Sequence, residues 1–139
     1  MRQLKLPHPI LTEEDIHRLK TANLADFRVA EISTLFEVSD RPEESLRRSL
    51  NELIDAAENA IRDGASMLIL TDRDFSVERA AIPALLATSA VHHGLLRRGL
   101  RDEAGLIIET GEALEVMDFC LLCGYGANGV APYLAFEAL

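Results

Sequence analysis

Residues Met67–Leu70 are apolar at every position, and so are Leu106–Ile108. A strand that alternates has one dry face; one without alternation is dry on both. Such strands belong to parallel sheets with helices packed against them, which narrows the fold before anything else is read. The first of them sits in Arg62–Arg73, where a helix stops at Gly64, the apolar run follows, and charge returns at Thr71-Asp72-Arg73. This is an αβ joint that the rest of the chain repeats or supports.

The 139 residues are 48% apolar and 27% charged, as in a folded protein, and suffice for one domain. The net charge of −9 excludes nucleic acid and anionic membrane as natural partners, since both need a basic face. The longest basic cluster, Arg97-Arg98 with Arg101, is too short to change that. No apolar run approaches the ~20 residues of a membrane span, and the start lacks the order of a signal peptide. Two cysteines without a secretory signal point to reduced thiols in a cytoplasmic protein.

Residues 1–11 read as a lead-in linker, because Pro7 and Pro9 stiffen Leu6–Ile10 in an extended form. Residues 12–139 then form a single α/β domain. Thr12-Glu13-Glu14-Asp15 opens a helix that ends near Asn23, with Ile16 and Leu19 as its apolar stripe. Phe27–Val38 holds a strand centred on Val29–Phe36. Pro42 starts a second helix whose stripe is Leu46, Leu50, Leu53, Ile54, Ala57 and Ile61. After the strand at Met67–Leu70 and a polar loop over Thr71–Arg79, Pro83 starts a helix carrying Leu85, Leu86, Val91, Leu95 and Leu96, closed by Gly99. A helix with Leu114, Met117, Cys120 and Leu121 runs from the Leu106–Ile108 strand to Gly124, and a last strand lies in Gly129–Leu134. The order α, β, then αβ three times predicts an open, mainly parallel four-stranded sheet with flanking helices. Four strands are too few to close a barrel of eight. The apolar-rich Phe136–Leu139 carries no stop signal, so the chain reads as cut rather than finished.

Polar residues follow each buried strand: Thr71-Asp72-Arg73-Asp74, then Glu109-Thr110-Gly111-Glu112, then Tyr133. In parallel sheets these fall on the carboxyl edge, where ligands bind. Thr71, Asp72, Arg73, Glu109, Thr110 and Tyr133 are therefore the candidate docking or ligand edge. The plainer account is helix capping and local Asp–Arg pairing. Gly124–Gly129 matches G-x-G-x-x-G, but a helix enters and a strand leaves, the reverse of the dinucleotide order, so it reads as a helix stop and tight loop. Cys120-Leu121-Leu122-Cys123 lacks the further ligands of a zinc site and lies at a helix C-terminus, which leaves core packing. His92 and His93 point about 100° apart on a helix and cannot share a metal, one reaching an interface and the other solvent.

Several stretches in order resemble the central domain of glutamate synthase large subunits. They include Leu6–Thr12, Ala60–Ala65, Ile69–Arg73, Ile82–Thr88, Val91-His92-His93, Gly99-Leu100-Arg101, Glu109–Ala113, Gly124–Ala127 and Pro132–Glu137. The resemblance, to the C-terminal half of that domain, implies an α/β connector shaped like a partial (β/α) barrel. It would lie between a glutamine amidotransferase domain and an FMN-binding synthase domain with an iron–sulfur cluster, in an enzyme of ammonia assimilation. It implies no catalytic residue, cofactor contact or metal ligand in this segment. The alternative reading is a free-standing small-molecule-binding module derived from that domain.

Overall fold

The computed structural model describes residues 9–21, 27–113 and 116–137, without the side chains of 116, 117, 119, 136 and 137. Helix α1 (Glu13–Thr21) begins with a reciprocal cap: Asp15 N–H donates to Thr12 Oγ1 at 3.1 Å and Thr12 N–H to Asp15 Oδ2 at 3.0 Å. Its expected end near Asn23 lies outside the described residues. Strands β1 (Val29–Ser33) and β2 (Leu35–Glu37) precede helix α2 (Pro42–Arg62), and Gly64 ends that helix at φ +100°. Then come β3 (Met67–Thr71), β4 (Arg79–Ala81), α3 (Ala84–Arg97), β5 (Gly105–Glu109), α4 (Val116–Gly124), β6 (Gly129–Ala131) and a short α5 (Tyr133–Glu137).

Four strands form one parallel sheet in the order β1-β3-β5-β6, with registers such as Ile69↔Glu31 and Ile69↔Ile107. Every step moves to the next position in the same direction. Helices α2, α3 and α4 accordingly share one face, against Leu68, Leu70, Leu106, Ile108 and Val130. The opposite face, with Met67, Ile69, Ile107 and Ala131, is covered by Leu11, Phe27 and α1 through Ile16 and Leu19. The sheet is open, with β1 at one edge. At the other edge Leu11 N–H donates to Val130 O at 2.7 Å, laying residues 9–11 beside β6. Among the described residues no helix is long and apolar enough to cross a membrane.

The expected single strand over Val29–Phe36 is two. Thr34 N–H still bonds Thr71 O, but Thr34 O accepts from Ile82 N–H, so the chain leaves the parallel sheet there. The second piece pairs antiparallel with β4, a strand outside the expected elements that starts at the last residue of the expected polar loop. α5 likewise occupies the end of the span expected to be the last strand. In α3 the buried stripe is Ala84, Ala87, Thr88, Val91, Gly94 and Leu95, while Leu86 and Leu96 are exposed. Small residues win because α3 lies close against both the sheet and α2. A Cβ built on Gly94 stands 2.7 Å from Ile54 Cγ2, a branched atom that cannot swing aside.

Gly94→Ala should destabilise by about 1–3 kcal/mol, the overpacking cost exceeding the helix-propensity gain. In an Ile54→Ala background, where the obstructing atoms are gone, the same change should become stabilising. Urea unfolding of the four proteins checks both signs.

Candidate functional site

Thr71 ends β3, Glu109 ends β5, and Tyr133 opens α5 just beyond β6, so parallel registry alone brings all three to the carboxyl edge. The alternation of β3 and β5 aims Thr71 and Glu109 at the face covered by α1, alongside Ile69 and Ile107. Glu109 is 1% exposed. A carboxylate so buried demands partners. Thr71 Oγ1 donates to it at 2.6 Å, Arg73 Nε lies 3.2 Å away, and Lys20 Nζ reaches in from α1 at 3.4 Å.

The next residue along, Asp72, is 4% exposed and forms a second centre. Its carboxylate accepts from Thr110 Oγ1 at 2.6 Å, Gly111 N–H at 3.1 Å and Tyr133 Oη at 2.5 Å. Burial, then the bond to Asp72, push the Tyr133 phenol well above its ordinary range, so it stays a donor. Arg73 joins the two centres: its guanidinium lies 4.2 Å over the Tyr133 ring and donates to Glu13 at 2.8 Å. All six candidate residues thus belong to one network. It is not the local Asp–Arg pairing expected from sequence, because Arg73 turns to Glu109 and Glu13 and leaves Asp72 to hydroxyl and amide donors. Beside Asp72 a cavity of about 290 Å³ opens between Phe75, Ala81, Gly111 and Leu134.

Three participants escape a local reading. Lys20 also pairs with Glu31 at 3.1 Å, and Glu13 meets Arg73 from the first turn of α1. Glu112 crosses to accept the Ala84 N–H at 2.6 Å, capping α3 where Pro83 provides no side-chain cap. The one sequence signal was Glu31 itself, a charge at an alternate position of a β-rich run.

The remaining motifs fall at the opposite edge or on α4. Gly126, at φ +124°, closes the α4–β6 loop against the His92 ring, where a Cβ would sit 2.4 Å from Cγ. Arg101 holds this corner, donating to His92 Nδ1 at 2.9 Å, Ala104 O at 2.8 Å, Gly126 O at 2.7 Å and Asn128 Oδ1 at 2.9 Å. The glycine-rich turn is therefore a packed joint. His93 is exposed, its ring edge-on to that of His92. Core packing fails for Cys120, which is exposed one turn from the half-buried Cys123; Leu122, not Leu121, enters the core. Burial, with Cys120 close by, raises the Cys123 thiol and disfavours a thiolate. Among the described residues no group of three His, Cys, Asp or Glu side chains could hold a metal.

The sequence model of a family described as the glutamate synthase central domain matches residues 1–139. The chain is 42% identical over 136 residues to the NADPH glutamate synthase large chain of Bacillus subtilis, covering 98% of this chain and 9% of that protein. It is 41% identical over 139 residues to the NADH glutamate synthase of Saccharomyces cerevisiae, covering 99% and 6%. With the ferredoxin-dependent glutamate synthase of Pyropia yezoensis it shares 38% over 138 residues, covering 98% and 9%. The chain thus spans less than a tenth of the length of these relatives.

Tyr133→Phe keeps the ring under Arg73 and removes only the donor to Asp72; it should cost about 1.5–3 kcal/mol in chemical unfolding, the range for a hydrogen bond to a charged group. At the other edge, burial foremost, then the Arg101 charge and His93, lower the pKa of His92. The unfolded chain then binds more protons, so this contribution is complete above about pH 6.5 and declines as pH falls below it. His92→Gln, which retains an acceptor for Arg101, should show a smaller drop in Tm than the unaltered chain between about pH 7.5 and pH 5.5.

Proposed function

Because this chain belongs to the glutamate synthase central domain family, we propose that it serves as a non-catalytic connector in a cytoplasmic glutamate synthase. In this reading residues 12–139 form one α/β domain, entered through 1–11. The domain holds a glutamine amidotransferase domain and an FMN-binding synthase domain in register for glutamate biosynthesis. The observation that carries the proposal is the breadth of the match. Relatives named for NADPH, NADH and ferredoxin share this segment to nearly the same degree, 42%, 41% and 38%. A segment alike across three electron donors serves something common to all of them, not the choice of donor.

The chemistry of the carboxyl edge supports a scaffold. Among the described residues every buried side-chain polar atom has a partner, and both buried carboxylates are held by donors from other elements. Thr71, Asp72, Arg73, Glu109, Thr110 and Tyr133 then form a rigid corner against which a neighbouring domain docks, chiefly through the exposed parts of Arg73 and Glu13. In this reading the segment by itself holds neither FMN nor an iron–sulfur cluster. An iron–sulfur cluster needs about four thiolates and the chain has two cysteines. The N-terminus of α3, a natural phosphate cradle for FMN, already holds the Glu112 carboxylate.

The cavity beside Asp72 favours one rival, a free-standing module that binds a small molecule at this edge. A thermal-shift screen with 2-oxoglutarate, glutamine, glutamate and FMN separates the two. The connector predicts no stabilisation by any of them, whereas a clear shift that disappears in Arg73→Ala would establish the module. The native open reading frame is the second check: it should extend far beyond 139 residues into amidotransferase and synthase sequence. A protein of about this length, with no synthase gene beside it, would refute the connector.

A further inference from the structure

A groove of about 590 Å³ lies between α2 and the β2–β4 ladder, beside the carboxyl end of β1, and uses none of the six residues of the carboxyl-edge network. Its size is that of ligand sites, roughly 300–1,000 Å³. Ile32, Phe36, Leu53 and Ile82 give it an apolar lining. Each wall adds one cation and one anion: Arg48 and Glu52, one turn apart on α2, and Arg79 and Glu37, direct register partners across β2 and β4.

Both couples are placed to close on themselves. Residues four apart on a helix and residues opposite on an antiparallel pair are near neighbours. Among the described residues none of these four exposed side chains is in an ion pair. The groove therefore offers two guanidinium groups and two carboxylates, all exposed, around a partly apolar floor. A simple anion would be repelled by Glu37 and Glu52, and a simple cation by Arg48 and Arg79. A ligand carrying both charges meets a partner for each, and its apolar body meets the floor.

We propose that this groove binds an amphipathic zwitterion of about dipeptide size, its carboxylate on Arg48 or Arg79 and its ammonium on Glu37 or Glu52. Charge-assisted hydrogen bonds at both ends supply orientation, and burial over Phe36 and Leu53 supplies the apolar contribution.

Calorimetric titration of the 139-residue chain with leucyl-leucine tests this, with its N-acetyl and C-terminal amide derivatives as comparisons. Saturable binding of the free dipeptide is expected at millimolar concentrations. Each blocked derivative should bind more weakly by roughly tenfold, the loss of one charge-assisted contact. Arg48→Gln and Arg79→Gln change exposed side chains and should leave thermal unfolding unaltered, and at least one should weaken the free dipeptide by a similar factor. Absence of saturable binding overturns the proposal. So does equal binding of the blocked derivatives, which needs no variant to fold, and so does unchanged binding in both arginine variants.

Discussion

A carboxylate that follows an apolar strand into the interior cannot remain there without donors, and this molecule places two such groups side by side. Asp72, just past the end of β3, and Glu109, the last residue of β5, are 4% and 1% exposed. Their demands tie the fold together. Glu109 draws Lys20 and Arg73 inward and so fixes α1 across the face that the longer helices leave uncovered. Asp72 gathers Thr110, Gly111 and Tyr133 and so fixes the exits of β5 and β6. The free energy of leaving either carboxylate unpaired far exceeds that of any surface ion pair, so breaking either centre is costly.

That rigidity bears on function. An edge built for catalysis keeps a polar group uncommitted or perturbs it toward reactivity. Here the strongest perturbation, on Tyr133, acts in the other direction, holding a phenol protonated as a permanent donor. Sequential strand order with helices on one face gives the sheet the plan of part of a (β/α) barrel, while β1 leaves it unclosed. A corner of fixed geometry beside an open sheet fits the connector role proposed above. The exposed charges along the α2 groove, beside the end of β1, take no part in this network.

Much of this was legible in the residues. The apolar runs at Met67–Leu70 and Leu106–Ile108, the stripe of α2 and the stop at Gly64 express local preferences that tertiary contacts reinforce. The six residues of the candidate edge follow from the same logic, since strand ends in a parallel sheet share an edge. What misled was size. Leu86 and Leu96 look like core residues, yet Ala87 and Gly94 face inward, because close approach of helix to sheet and helix to helix selects small side chains; on α4 the inward position is Leu122 rather than Leu121 or Cys120.

The sequence by itself determined the class of fold, the parallel direction of its strands and the gathering of charge at one edge. These depend on hydrophobic periodicity and backbone chemistry within a few residues of each position. Only the tertiary structure decided who partners whom. Thr34 passes the chain from one sheet to another, Glu112 caps a helix 28 positions away, and Arg73 prefers Glu109 and Glu13 to its neighbour Asp72. A buried charge is satisfied by whatever donor the fold brings within about 3 Å, and that distance is set by packing across the whole chain.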